Sequence, residues 1–379
     1  MNAKTLAPLA GRRVALGRNT GAWTFSPNRR GLAIGVDRAL GLRIVDVRAL
    51  KRVADVHTLN GNVLAAAWLS PRRIVGLDRA GIFVVDPIAK RMVAFRQVEA
   101  TLVAWARAQS SLVLLLGPPP DGIPVAPVTT GGAGLGAARL LLIGADGRAR
   151  SVPLDRIRTG ATFDTAGPPE RWVPGLAVDA AGGRAFVVGS GDLVAEVNLQ
   201  TLAVAYHELR EHTSLLHRAL GWLFPAAAAK GPIAGPTRQA AWLGNGLLAI
   251  TGDDVRVTVR PREIDVASKP LGLKLVDTRD WAVRTLEPRA TGFAQADGVL
   301  LAYGGSYDAQ YRAADGMGLA AYTIDGKKLY HLFGDSPLFW ATVAGSNVYA
   351  APDGKIVAVD LASGRVMRSL DAPLPQILN

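Results

Sequence analysis

"NVYAAPDGKIVAVDLASGRVMRSL" (residues 347–370) contains three short apolar runs, NVYA, KIVAVD and RVMRSL, separated by two turn-forming tetrapeptides. Within the runs, β-branched and apolar residues dominate, and each run is closed by Pro, Asp or Gly. That is the signature of an antiparallel meander with tight turns. No stretch here has the length or the three-to-four residue spacing of a helix.

The middle run, ending in Asp360, has counterparts along the whole chain. "LRIVD" (42–46), "IFVVD" (82–86), "LVAEVN" (193–198), "LKLVD" (273–277) and "AAYTID" (320–325) repeat it, and "LLLIGAD" (140–146) is a looser copy, which makes seven in all. A polar turn and another apolar run follow each, as in "RALKRVADV" and "PIAKRMVAF". Upstream of each lies a pair of runs joined by a tight turn, such as "AWTFSPNRRGLAIGV" and "AAWLSPRRIVGL", and the first run often carries an aromatic residue: Trp23, Trp68, Trp105, Trp242, Phe293 or Trp340. Four strands in about 35–45 residues is the size of one propeller blade. The sequence therefore predicts an all-β, seven-bladed β-propeller spanning residues 1–379 as a single domain, expected to be a monomer, with "RRVAL" (12–16) as a strand that closes the ring on the last unit.

The repeats resemble those of WD40, YVTN and quinoprotein-type β-propellers, with residues 347–370 nearest the quinoprotein style. No unit has the Gly-His start and Trp-Asp end of a WD40 blade, and Met367 stands near the position where a quinoprotein repeat places tryptophan. The resemblance implies the fold and no particular activity. Repeated features serve what every blade needs, so the terminal Asp residues are expected to bond their own turns and the tryptophans to pack between blades.

In such a meander the second-to-third and fourth-to-next-first connections leave one end, and the remaining turns leave the other. The long segments, at about 117–138, 253–271 and 304–318 and at 154–173 and 207–237, all fall on one end, which becomes the expected working surface. A helical insertion is predicted over 207–236, between the fourth and fifth units. Leu209, Leu216, Leu220 and Leu223 form its apolar stripe and Pro225 ends it. His207, His212 and His217 are spaced so that they point three ways on a helix, so they do not share one metal ion. His212 and Trp222 are candidates for contact with a partner. "TTGGAGLGA" (129–137) follows a proline-rich loop and leads into a strand, so it lacks the strand-before, helix-after setting of a phosphate loop. "GDDVRVTVRPREIDVASKP" (252–270) alternates as an extended hairpin would, with Arg260 and Arg262 on one side, suited either to an anion or to the neighbouring Glu263 and Asp265. "GGSYDAQYRAADGMG" (304–318) places Tyr307, Asp308, Tyr311 and Arg312 in a glycine-flanked loop, and tyrosine and arginine are the residues of binding hot spots. His331 is expected to be structural.

The chain has no cysteine, which excludes disulfides, thiolate nucleophiles and cysteine-bound metals. Its formal charge is +12. The basic residues are dispersed along the sequence without a run, so nucleic-acid binding is not predicted. The N-terminal stretch has no apolar core of signal-peptide length and there is no apolar run of membrane-spanning length, so a soluble chain is expected, with its compartment open. No cofactor and no metal site is predicted. The expected function is a non-catalytic binding or assembly module holding a protein, peptide or glycan partner. The alternative is a propeller enzyme, of the metal-dependent lactonase or lyase type or the quinone-dependent dehydrogenase type, with its site at the channel mouth.

Overall fold

The computed structural model describes residues 22–36, 41–119, 128–129, 134–162, 170–209, 234–260, 263–307, 313–352 and 354–371. The described strands form seven sheets that follow one another along the chain, over residues 23–56, 63–97, 100–172, 175–208, 235–287, 292–332 and 341–371, antiparallel except where Val128–Thr129 runs parallel to Ala100–Arg107 in the third. Among the described residues there is no helix. Every Asp-terminated run is the third strand of its sheet, for example Gly41–Asp46, Gly81–Asp86 and Lys355–Asp360.

The sheets bury their faces on each other. One apolar cluster joins the first two sheets through Ile44, Trp68, Phe83 and Val85, and the next joins the second and third through Leu77, Val84, Leu114 and Ile143. Further clusters join each successive pair to the seventh sheet. Alanine is frequent where first strands approach one another: Ala65, Ala66, Ala67 and Ala100 are fully buried. A methyl group is all that fits where strand edges converge. The link between the third and fourth sheets pairs directly with the first strand of the fifth: Val173 and Thr237 are bridged in parallel, and Arg238 N–H donates to the Val173 carbonyl at 2.7 Å.

The recurrent Asp and Asn residues bond their own turns, as expected. Asp46 Oδ1 accepts the N–H groups of Arg48 and Ala49, both at 2.8 Å, and Asp86 Oδ1 accepts those of Ile88 and Ala89 at 2.9 and 3.0 Å. Asn198 does the same for Gln200 and Thr201. A second regularity was not legible in the sequence. The residue four beyond the Asp or Asn takes a left-handed conformation in five turns, at Leu50, Lys90, Leu202, Trp281 and Gly364. Its N–H closes the turn onto the Asx carbonyl in three of these, Leu202, Trp281 and Gly364. Only the last of the five turns uses glycine, the residue suited to that conformation.

The tryptophans divide. Trp68 is buried between the first two sheets, Trp105 packs against the next cluster, and Trp242 stacks on Phe186 at 5.3 Å between the fourth and fifth sheets. Trp23 and Trp340 instead are 59% and 43% exposed, which corrects the expectation that each packs between sheets. Among the described residues no apolar cluster joins the seventh sheet to the first, which leaves Trp23 without a described sheet on its side. The segment 12–16 lies outside the described residues.

Two further corrections concern the long segments. The segment 304–318, expected as a loop, is largely strand, with Val299–Tyr307 paired with Ala313–Thr323, whereas the extended hairpin read in 252–270 is present: Leu247–Arg260 pairs with Glu263–Pro270 and protrudes from its sheet. The returning strand Glu263–Pro270 gives the fifth sheet five strands, and Val128–Thr129 and Glu170–Trp172 give the third six. Extended backbone satisfies its own N–H and C=O groups, as irregular loops of that length would not. The predicted helix over 207–236 falls mostly on residues 210–233, outside the described residues, but its first residues are strand. His207 and Glu208 belong to Val204–Glu208, paired with Leu193–Asn198. His207 Nε2 lies 3.1 Å from Glu196 Oε2 and its ring stacks on Trp281 at 3.6 Å, a sheet contact that outweighs the helical pattern.

The left-handed turn position gives a stability test. Lys90, exposed at φ 55°, is expected to tolerate Lys90→Gly with a gain of up to about 1 kcal/mol. In the equivalent place Gly364→Ala is expected to lose about 1 kcal/mol or more, because its Cβ would also meet the Tyr330 ring at 2.6 Å. Denaturant unfolding of both variants checks the pair of opposite signs.

Candidate functional site

The two protruding hairpins rise from the same end of the fifth and sixth sheets, and a cleft of about 190 Å³ lies between their bases. Its wall on one side is Ser268 and Pro270, from the returning strand of the first hairpin, and on the other Gly304, Gly305, Ser306, Asp315 and Gly316 of the second. Arg289 and Thr291, from the link between the two sheets, complete it.

The sequence builds this place by leaving out side chains. A Cβ on Gly316 would lie 2.2 Å from backbone atoms of Pro337, so glycine alone lets the strand pass under the following link. That link is fastened by Leu338 N–H to the Gly304 carbonyl at 3.1 Å and by Gly318 N–H to the Ser336 carbonyl at 2.9 Å. Arg289 spans the cleft: it pairs with Asp335 Oδ1 at 2.7 Å and donates to the Gly316 carbonyl. Ser306 Oγ accepts the Asp315 N–H at 3.2 Å, pinning the second hairpin at its base.

The first hairpin is anchored by charge. The Arg238 side chain is 2% exposed and lies between the innermost strand and the hairpin, 2.7 Å from Asp254 Oδ1, with Nη1 donating to the carbonyls of Thr237 and Asp253. These contacts compensate the buried guanidinium, which would destabilise the fold strongly if left unpaired, while its Nε has no hydrogen-bond partner among the described residues. Beside it, Asp253 Oδ2 accepts the Ser268 hydroxyl at 2.6 Å, while Oδ1 has no hydrogen-bond partner among the described residues. Burial pushes the Asp253 carboxyl above its ordinary range, and the neighbouring Asp254 adds to that shift; the Ser268 bond and Arg238 act against it. The end of the fifth sheet thus carries a carboxyl with one unfilled acceptor position next to the cleft-lining Ser268.

Of the residues singled out in the sequence, Arg260 and Tyr307 are placed at the far ends of the two hairpins, and the register sets Arg260 opposite Glu263. Arg262, Asp308, Tyr311, Arg312, His212 and Trp222 lie outside the described residues. His331 is structural as expected, its Nε2 2.5 Å from the Met317 carbonyl. Sequence analysis missed Arg238, Ser268 and Arg289. Nothing marks Arg289 in the sequence, since it sits in an ordinary Pro-Arg-Ala link. A signal was present for the cleft itself, in the glycines of "YGGSY" and "DGMG" on facing strands. Among the described residues no group of three or more His, Asp or Glu side chains is arranged to hold a metal ion, and no helix is long and apolar enough to cross a membrane.

Raised above its unfolded value, the Asp253 pKa contributes stability that is fully present in acid and is lost as pH rises through the folded pKa. Asp253→Asn removes that ionisation. The variant should gain on the wild type as pH rises from below the ordinary value of 3.8 towards neutrality, and denaturant midpoints across that range measure the difference.

No protein-family model matches the chain, and no curated protein matches it. Solved structures do. The dihydro-heme d1 dehydrogenase NirN, in complex with DHE, is similar over 93% of this chain and 66% of its own, with a TM-score of 0.51 and 11% identity. Sqt1 of Saccharomyces cerevisiae is similar over 93% and 85% of the two chains, with a TM-score of 0.48 and 11% identity. BamB of Moraxella catarrhalis is similar over 93% and 74%, with a TM-score of 0.37 and 11% identity. NirN is a β-propeller protein, and the likeness to it shows the fold of this chain and nothing of its activity.

Proposed function

We propose that the chain, residues 1–379, is one propeller of seven blades and works as a non-catalytic binding or assembly module, holding a protein, peptide or glycan partner at the end from which the two hairpins rise. The observation that carries this is the cleft between the hairpins. Its walls are glycine backbone and short polar side chains, its floor is a charged anchor, and rigid sheets position both sides. At about 190 Å³ it suits one side chain or one sugar ring, below the range of sites that enclose a whole small-molecule ligand. Beyond it we propose Arg260, Arg262, Tyr307, Asp308, Tyr311 and Arg312 as contacts, a set rich in the tyrosine and arginine that dominate binding energy at interfaces. His212 and Trp222, which the sequence expects at that end, are proposed as further contacts.

The propeller enzyme is the second reading, and Asp253 is the observation that favours it, as a desolvated carboxyl close to a cleft is a common feature of catalytic sites.

Ligands selected by the whole chain from glycan and peptide arrays supply the test. The double variant Tyr311→Ala, Arg312→Ala and the single variant Asp315→Lys should each weaken the selected ligand about tenfold. Unchanged affinity in both would remove the hairpin end from the proposal. Turnover of a selected ligand, abolished by Asp253→Asn, would replace the binding function with the enzymatic one.

A further inference from the structure

We infer that the opposite end of the first two sheets is a second docking site, for an apolar side chain carried on an acidic peptide segment of a partner protein. Four short turns meet there around a groove of about 320 Å³. Its floor is Ile44, Val45 and the indole of Trp68, all buried, and its rim is Val53, Pro71 and Ile88. Ile88 is 59% exposed and Val53 44%, so apolar surface continues from the floor outward. Gly31 makes the groove possible: a Cβ there would stand 2.7 Å from the Trp68 ring. An apolar hollow with an exposed apolar lip loses free energy to water until something covers it, and filling it with a leucine-sized side chain contributes about 1.5–3 kcal/mol.

Charge decides what covers it. The four turns carry Arg29, Arg30, Arg48, Arg72, Arg73 and Lys90 against two acids, Asp46 and Asp86. Both acids bond backbone N–H groups of their own turns, and Asp86 Oδ2 also lies 3.5 Å from Arg73 Nη1, which leaves five further cations on these turns against Asp46. The turns in the same position of later sheets are balanced: Asp179 pairs with Arg184 at 3.1 Å and Asp277 with Arg279 at 2.5 Å. Positive potential is therefore concentrated around the groove. It complements aspartate and glutamate flanking an apolar anchor, and it steers such a segment to the site. A phosphate backbone would use the arginines but leave the apolar hollow unfilled, so the peptide uses more of what is present.

The test pans a displayed library of short random peptides against the whole chain, then measures binding of the enriched peptides by fluorescence anisotropy. Enriched sequences should share one large apolar residue between acidic ones. Their affinity should fall about tenfold with Ile88→Asp, with the double charge reversal Arg30→Glu, Arg72→Glu, and with alanine in place of the anchor. All the substituted positions are exposed, and an unchanged melting temperature separates lost binding from lost folding. The Tyr311→Ala, Arg312→Ala variant should retain full affinity, which separates this site from the hairpin end. No enrichment, enrichment without an anchor, or indifference to Ile88→Asp would overturn the inference. So would duplex DNA or phosphatidylserine vesicles binding in an arginine-dependent way that Ile88→Asp leaves intact, since the surface would then be a polyanion patch.

Discussion

Each sheet in this protein has two apolar faces and covers neither of them itself. Stability therefore rests on the contact between one sheet and the next, where valine, leucine and isoleucine side chains such as Leu114, Leu140 and Val187 are removed completely from water. Burying such a side chain contributes about 1.5–3 kcal/mol, and each inter-sheet cluster repeats that contribution many times. Because neighbours supply the cover, the sheets stand in series and each fixes the next. The polar framework is subordinate to this packing: the Asx turns and the left-handed residues after them close the ends of strands whose positions the apolar faces have already set.

That division of labour leaves the ends of the sheets free to differ. At one end, strand pairs in the fifth and sixth sheets grow past the core into hairpins, and their bases are held by Arg238, Arg289 and glycines without room for a methyl group. At the other end the turns stay short, and only charge and one groove distinguish the first two sheets from the rest. Were both proposed sites occupied, the scaffold would hold two partners at a fixed separation, because sheets packed in series transmit position without needing to move.

Much of the fold was legible because it depends on local rules repeated many times. Alternation, turn residues and the Asp that ends each third strand announce a meander wherever they occur, and seven copies reinforce one another. The helical pattern beginning at His207 shows where this fails. The leucine spacing is sound, but the first residues of the segment are claimed by pairing with Leu193–Asn198 and by the stack of His207 on Trp281, neither of which is visible in a local window. Trp23 and Trp340 show the converse, since a shared aromatic position in the repeat does not ensure a neighbour to cover it.

The sequence by itself determined the all-β class, the repeat, the position of the third strands and the end at which the fifth and sixth sheets carry their hairpins, because each is a property of residues close together in the chain. The tertiary structure alone decided what those elements bring together. Arg289 reaches the Gly316 carbonyl and Ser268 meets Asp253 only because separate strands are stacked side by side. Likewise Arg29 and Arg30 are far from Arg72 and Arg73 along the chain, so the basic residues read as dispersed. Folding sets their turns around one groove, and a potential depends on distance through space and not along the sequence.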